Sequence, residues 1–192
     1  MSGRRPDKAA EERRIFERFL RAHPSLAEQV VRYDSTADDF PDIDAYLQSG
    51  AKLPVELGEW IDGPQLADAL KTSPPEGGYD PAWALDAGRR ILEQKLAHYG
   101  PAARGAWLVI HYGRAYLYNT PFRGLYVANF ADLAREVSGW LKGRTVQFDK
   151  VFLLAAWGDI DADLVRILRE AGYPVQAGPE AFEVFPKLIQ CT

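Results

Sequence analysis

Cysteine is nearly absent from the sequence: among 192 residues only Cys191 is present, next to the C-terminus. A single cysteine excludes an internal disulfide and a cysteine-rich zinc site. Long apolar runs are also absent, since none approaches the roughly 20 residues that a membrane-spanning helix needs. The polar residues 1–7 have no apolar stretch behind them, so we expect no signal peptide, no membrane partner and a cytoplasmic location.

Neither sign of charge dominates, and the common catalytic motifs are missing. The formal net charge is −4, which gives no overall attraction to nucleic acid but is compatible with a local basic surface. The sequence contains no Gly-x-Ser-x-Gly nucleophile elbow, no His-Glu-x-x-His zinc motif, no phosphate-binding glycine-rich loop and no dinucleotide fingerprint. These absences leave the function to be inferred from other features.

The composition is that of a soluble globular domain. Apolar residues make up 47% of the chain, charged residues 26% and aromatic residues 12%, which is enough for a full hydrophobic core. Helical periodicity predicts helices over residues 8–22, 25–33, 65–71, 80–99, 130–141 and 161–171. Nearly continuous apolar runs predict central strands over residues 106–111 and 151–157, and the tail 182–189 predicts an edge strand.

The order of these elements predicts a single α/β domain over residues 1–192, with a mixed sheet flanked by helices. The sequence shows no internal repeat and no linker that would divide it. Residues 72–80 are rich in proline and glycine, which predicts a flexible loop within the domain.

The main candidate site lies in a predicted β-hairpin. Two strand-like runs, residues 40–47 and 53–60, are joined by a polar turn that contains Gly50. Acidic residues are uncommon in strands, yet these two runs contain four of them: Asp42, Asp44, Glu56 and Glu59. The hairpin therefore predicts a cluster of carboxylates at a defined place in the sheet.

The length of the turn decides which carboxylates meet. A turn over residues 49–51 would place Asp44 opposite Glu56, and Asp42 opposite Gly58 on the same face. Facing Cβ atoms lie about 4.5–5.5 Å apart, so two carboxylates there repel each other unless a cation separates them. A hard divalent cation with oxygen ligands would serve. A turn with an even number of residues would put Asp44 and Glu56 on opposite faces, so the partner of Glu56 stays open between Asp42 and Asp44.

A helix, a hairpin carrying Pro41-Asp42 and a later acid, a helix and a further strand together resemble the PD-(D/E)XK nuclease superfamily. The second acid is Glu56 in the run Val-Glu-Leu-Gly at residues 55–58. The resemblance implies a restriction-endonuclease-like fold and a metal-dependent hydrolase of nucleic-acid phosphodiester bonds, with DNA preferred over RNA. It also implies that Asp42 and Glu56 hold Mg²⁺ or Mn²⁺, with Asp44 as a second or alternative ligand.

One feature of the family is missing. Its members place a lysine two positions after the second acid, where it positions or activates the attacking water, but this position here is Gly58. The resemblance leaves three replacements: Lys71 on the next helix, Lys52 at the start of the strand, and Glu59, which alternation puts on the opposite face from Glu56. The acid that some members carry on the first helix would correspond to Glu12, or less well to Glu17.

Glu12 lies in the apolar stripe of the first helix, so its carboxylate is expected to point toward whatever that helix covers. Three arginines, Arg14, Arg18 and Arg21, share a different side of this helix and could contact phosphates. A solvated helix face is the commoner role of such a set, given the acidic net charge.

Two alternative functions remain open. Because Gly58 replaces the lysine, the domain could be a catalytically degenerate module that binds a protein partner or forms a homodimer. His111, at the end of a predicted central strand, and the loop over residues 119–124 could instead form a small-molecule hydrolase site, because strand ends in α/β sheets often bind ligands. A lone histidine in such a place is more often a hydrogen-bonded structural residue.

Overall fold

The computed structural model describes residues 6–60, 81–111, 130–155, 170, 180–185 and 189–191. Their helices are α1 (Pro6–Ala22), α2 (Pro24–Ala27), α3 (Pro81–Tyr99) and α4 (Phe130–Leu141), with a short 3-10 helix over Gly100–Ala103. Their strands are β1 (Val30–Ser35), β2 (Ile43–Leu47), β3 (Lys52–Glu59), β4 (Trp107–His111), β5 (Lys150–Ala155), β6 (Glu180–Phe185) and β7 (Ile189–Cys191).

The strands form one seven-stranded sheet in which spatial order follows chain order from β1 to β7. The central strands β3, β4 and β5 run parallel, whereas β1 and β2 on one side and β6 and β7 on the other add in antiparallel fashion. Parallel strands are normally covered by helices on both faces, which explains the apolar sequences of β4 and β5. The predicted mixed sheet flanked by helices is confirmed.

Each face of the sheet has its own hydrophobic core. On one face α1 packs against strand side chains of the opposite parity to Glu56; this core includes Phe16, Phe19, Val55, Leu57, Val109 and Phe152. On the other face α3 and α4 pack on a second set that includes Leu92, Val137, Leu108, Ile110 and Leu153. Side chains alternate along a strand, so Glu56, between Val55 and Leu57, faces α3.

Two sequence predictions of secondary structure are wrong. The helix over residues 25–33 ends at Ala27, and the edge strand β1 follows it, because Val30, Val31 and Tyr33 suit a strand that can pair with β2. The tail over residues 182–189 is also not the edge of the sheet, since β6 is covered by β7.

The remaining secondary-structure predictions are either confirmed or lie outside the described residues. The helix over residues 130–141, the helix over residues 80–99 and the central strands are confirmed within a few residues at their ends. The predicted helices 65–71 and 161–171 and the flexible loop 72–80 lie outside the described residues. No helix in the described part of the chain combines the length and the apolar character needed to cross a membrane.

Candidate active site

The hairpin turn sets the register of the acidic residues. Gly50 adopts a φ of 82°, which favours glycine, and the Leu47 N–H donates to the Ala51 carbonyl at 2.9 Å. The turn is therefore residues 48–50, one position earlier than predicted, and Asp44 pairs with Pro54. The prediction that Asp44 faces Glu56 is wrong, whereas an odd number of turn residues is confirmed.

The shift moves each pairing by two residues and so leaves every side chain on its predicted face. Continuing the observed register by one pair beyond Ile43 and Val55 places Asp42 opposite Glu56. The hairpin thus brings Asp42 and Glu56 together, and the charge of Glu56 acts on Asp42; these are the same two residues that carry the family resemblance.

Asp42 is a buried carboxylate directly before β2, with 7% of its surface exposed. Its Oδ2 accepts a hydrogen bond from the Leu57 N–H at 2.9 Å. Burial, and then the charge of Glu56, raise the pKa of Asp42 to about 6, against smaller opposing effects of the Leu57 hydrogen bond and of Lys95. A cation near this carboxyl group would stabilise its ionised form.

Glu56 lies deeper, with 1% of its surface exposed. Its Oε1 accepts hydrogen bonds from the Lys95 ammonium and from the Tyr99 hydroxyl, the latter at 2.7 Å. Its Oε2 is buried and has no hydrogen-bond partner among the residues that the structure describes. Since a buried carboxylate oxygen without a partner is costly, Oε2 is the atom of this site that most needs a ligand.

Lys95 is a residue of this site that the sequence did not reveal. It lies on α3, and its Nζ donates both to Glu56 and to the Leu57 carbonyl, the latter at 3.0 Å. The lysine side chain passes over Gly58: a Cβ atom at Gly58 would lie 3.6 Å from Lys95 Cε and 2.6 Å from Ile110 Cδ1. An ammonium group from the helix thus reaches the acid that, in the family pattern, is followed by a strand lysine.

The signal for Lys95 was weak but present. Lys95 and Tyr99 are four residues apart on one helix, so their side chains lie on one face, and both contact Glu56. The glycine at position 58 mainly leaves space for Ile110, because a Cβ there would lie 2.6 Å from Ile110 Cδ1 but at an ordinary contact distance of 3.6 Å from Lys95 Cε. Lys71, which the sequence analysis proposed for this role, lies outside the described residues, and that prediction remains untested.

Tyr99 holds the Glu56 carboxylate in position. Burial, followed by the hydrogen bond to Glu56, raises the pKa of Tyr99 above its ordinary value, so its hydroxyl keeps its proton and donates. The Tyr99 ring packs against Phe40, with centroids 4.5 Å apart, and at 6.4 Å against the buried Phe148. An aromatic group thus fixes one side of the site.

Glu12 is brought to the same site by α1, with 5% of its surface exposed. Burial would raise its pKa, but hydrogen bonds from Ser35 and Lys8 and one with Asp42 outweigh burial and hold the pKa of Glu12 below its ordinary value. Glu17, the other candidate on this helix, instead accepts a hydrogen bond from the Tyr33 hydroxyl at 2.7 Å. The structure therefore favours Glu12 as the helix acid.

Lys8 bridges the helix and hairpin acids. Its Nζ lies 3.2 Å from Glu12 Oε1 and 3.6 Å from Asp42 Oδ1, although 59% of its side chain is exposed. An ammonium group thus lies where the charges of two buried carboxylates converge.

Asp44 and Lys52 form a separate pair on the same face, nearer the turn. Their side chains form an ion pair with an N–O distance of 3.0 Å. Asp44, which pairs with Pro54, is thus two register positions away from the Asp42–Glu56 pair, and the Lys52 ammonium lies beside Asp44. Asp44 Oδ1, like Glu56 Oε2, is buried without a hydrogen-bond partner among the described residues, so a ligand role for Asp44 stays a prediction. The arrangement gives no support to a catalytic role of Lys52.

Glu59 and His111 pair with each other at the carboxyl ends of the parallel strands β3 and β4. They lie three residues past Glu56, on the face of opposite parity. The loop over residues 119–124, which would complete a site around His111, lies outside the described residues. Of the arginines on α1, Arg18 is only 6% exposed, so the interpretation of this set as a solvated helix face is wrong for Arg18, and contact with phosphates stays a prediction.

The donors at Asp42 and Glu56 fit a hard divalent cation. Within the described residues no group of three or more His, Cys, Asp or Glu side chains is already arranged to hold a metal ion. Mg²⁺, however, typically binds through one or two carboxylates and keeps several water ligands. The unpartnered Glu56 Oε2 and the raised pKa of Asp42 supply such a pair.

Comparison with known proteins adds no relative to this picture. The chain matches no protein-family model, and it has no match among curated proteins or solved structures. The resemblance to the PD-(D/E)XK superfamily therefore stays a prediction, supported by the geometry of Asp42, Glu56 and Lys95.

Proposed function

We propose that this protein is a metal-dependent nuclease with a restriction-endonuclease-like fold that hydrolyses phosphodiester bonds in nucleic acid. The observation that carries the proposal is the meeting of two buried carboxylates, Asp42 and Glu56, with an ammonium group from Lys95 at Glu56. Buried like charges with a perturbed pKa are costly to the fold and are typical of functional sites.

Each residue has a role that its contacts support. Asp42 and Glu56 Oε2 would hold Mg²⁺ or Mn²⁺, and Glu12 would complete the anionic side of the site. Lys95 would orient the attacking water and offset negative charge at the phosphate, since its Nζ already reaches the Glu56 carboxylate. Tyr99 donates a hydrogen bond to Glu56 Oε1, which would leave Oε2 for the metal ion. When bound, the metal ion supplies a Lewis acid for the phosphoryl oxygen and a water of lowered pKa.

Cleavage assays test this proposal directly. Wild-type protein is expected to cut labelled single-stranded DNA, duplex DNA or RNA with Mg²⁺ or Mn²⁺, and EDTA is expected to abolish cutting. Glu56→Gln, which removes a metal-binding charge while keeping the side-chain volume, is expected to lower the cleavage rate by about 100-fold or more.

The chain contains a matched control for this substitution. Glu183 is also a buried glutamate, 6% exposed, and it forms an ion pair with Lys150 at 3.0 Å. Glu183→Gln is therefore expected to perturb the fold to a comparable degree and to leave cleavage within about threefold of wild type. Equal losses in the two variants would reject the catalytic role of Glu56. Absence of both cleavage and metal binding in the wild-type protein would favour the degenerate interaction module instead.

Removal of Lys8 is expected to strengthen metal binding. Its ammonium lies between Glu12 and Asp42 and would compete with a cation for those carboxylates. One such interaction near a solvated surface is worth about 1 kcal/mol, so Lys8→Ala is expected to lower the Kd for Mn²⁺ about fivefold in isothermal titration calorimetry. Lys52→Ala, which removes an exposed lysine paired with Asp44, is the control and should change the Kd little. A Kd that rises in Lys8→Ala would contradict the competition.

A further inference from the structure

A second group of charged and aromatic side chains lies on the sheet face that carries Glu56. Arg32 pairs with Tyr46 across β1 and β2, and Tyr46 pairs with Lys52 across β2 and β3. Lys52 and Glu56 are four residues apart in one strand, so they lie on the same face. At about 3.3 Å per residue, Lys52 lies about 13 Å from Glu56 along the strand. Arg32, Tyr46 and Lys52 are here named the Tyr46 row.

The aromatic ring in the Tyr46 row holds a guanidinium group in a fixed plane. Arg32 Cζ lies 3.8 Å from the centroid of the Tyr46 ring, while 62% of the Arg32 side chain is exposed to solvent. A stacked guanidinium keeps its N–H groups free at the edge of the plane, in the fork geometry that matches a phosphate. Its outer face can also take a stacked base.

The counter-ion of Arg32 is easily displaced. Arg32 pairs with Asp34 at 2.8 Å, and these two side chains are 62% and 59% exposed. Exposed ion pairs contribute little to stability, so an incoming phosphate can replace Asp34 at small cost. Lys52 pairs with Asp44 at 3.0 Å, and the lysine side chain is 51% exposed but the aspartate only 16%, so a phosphate would bind Lys52 beside Asp44 rather than in its place.

We propose that the Tyr46 row binds an unpaired nucleic-acid strand that flanks the scissile phosphate; this inference rests on the proposed nuclease function. A base stacked on Arg32 and phosphates at Arg32 and Lys52 together form the combination of stacking and charge that single-strand sites use. The distance of about 13 Å corresponds to roughly four nucleotides at the 3.4 Å spacing of a stacked strand, and to fewer in an extended one.

Charge favours a single strand over a duplex. Duplex-binding surfaces commonly neutralise about 6–10 phosphates, whereas this row offers two cations in a chain of net charge −4. Stacking also requires a base that is not already paired. The row thus suits a strand end, a loop or an unwound segment.

Fluorescence anisotropy with a labelled 12-nucleotide single strand, in EDTA so that no cleavage occurs, tests the inference. Arg32→Ala is expected to raise the Kd about 5–10-fold and to lower the slope of log Kd against log salt by about 0.7. Arg32→Lys keeps the charge but loses the planar stack, so its Kd should lie between those of Arg32→Ala and the wild type.

Arg144→Ala is the matched control. Arg144 is also stacked on an aromatic ring, with Cζ 4.1 Å from the centroid of Trp140, and it is also paired with an exposed carboxylate, Glu93 at 3.4 Å. It follows α4 and is not part of the sheet face, so Arg144→Ala should bind like the wild type.

The outcomes separate the two proposals. Equal Kd values for Arg32→Ala and Arg144→Ala would overturn the Tyr46 row as a subsite, and tighter binding of a duplex of the same sequence would overturn the assignment to a single strand. A wild-type protein that binds neither form in EDTA would overturn the row as a strand-binding site, whereas absence of cleavage and of metal binding in the assays above would reject the nuclease function on which the inference rests.

Discussion

Replacing Lys95 with methionine is expected to lower the free energy of unfolding by about 3 kcal/mol, because it leaves a buried carboxylate without its cation. Glu56 is 1% exposed, and its Oε1 would keep only the Tyr99 hydroxyl as a donor. Methionine retains most of the aliphatic stem that packs over Gly58, so the loss reports the ammonium group rather than the packing. Urea unfolding at pH 7.5 measures the change.

A second substitution distinguishes this explanation from a loss of packing. Adding Glu56→Gln to Lys95→Met removes the uncompensated charge, so the double variant should recover at least half of the lost stability. Lys8→Met, which removes an exposed lysine beside Glu12 and Asp42, should cost less than about 1 kcal/mol. If the double variant stays as unstable as Lys95→Met alone, the ion pair is not what stabilises this part of the fold.

The sequence predicts the architecture of this protein better than it predicts the site. Nearly continuous apolar runs identify β4 and β5, and helical periodicity identifies α4 with the bounds that the structure shows. These signals are strong because each element buries a long, regular apolar surface. β1 was missed because its six residues follow a helical turn and become a strand only by pairing with β2.

The register of the hairpin could not be predicted from the sequence, for a different reason. Apolar alternation specifies which face a side chain occupies, and a shift of two residues leaves every face unchanged. Pairing Asp44 with Glu56 and pairing Asp42 with Glu56 therefore bury the same side chains. The turn at Gly50 decides between them, and sequence patterns for three-residue turns do not place the turn to within one residue.

Lys95 could not be assigned because its contact is tertiary. It lies 39 residues after Glu56 in the chain, and only the packing of α3 on β3 brings the two together. Sequence proximity favoured Lys71 instead. When the strand lacks the lysine, the residue to look for is thus a lysine on the helix that packs over Gly58.

Asp42→Asn is expected to stabilise the metal-free protein at pH 8 by about 3 kcal/mol, because ionised Asp42 opposes folding. The pKa of Asp42 is raised from its ordinary value of 3.8 to about 6 by burial and by Glu56. Between these two values the folded protein binds more protons than the unfolded chain, so the stability contribution of Asp42 falls as the pH rises through this window. Above pH 6 the full cost is present, and below pH 4 it disappears.

The comparison of Asp42→Asn with wild type across pH isolates this effect from other groups. Asparagine resembles the protonated acid, since its side-chain oxygen can still accept the hydrogen bond from the Leu57 N–H and its amide can donate to Glu12. The difference in unfolding free energy should therefore be largest at pH 8 and close to zero at pH 4 in urea titrations. A difference independent of pH would show that the carboxylate charge is not its cause.

Divalent metal should make the wild type more stable to unfolding than Asp42→Asn, the reverse of their order without metal. A ligand that binds only the folded state stabilises by an amount that grows with its concentration over Kd, and wild-type Asp42 offers a charge that asparagine lacks. At pH 8 with millimolar Mn²⁺, we expect the wild type to gain stability and Asp42→Asn to gain little. If Asp42 lowers the stability of the metal-free protein and metal binding restores it, Asp42 is a residue retained for binding rather than for folding. An equal gain in stability in both proteins would place the metal elsewhere.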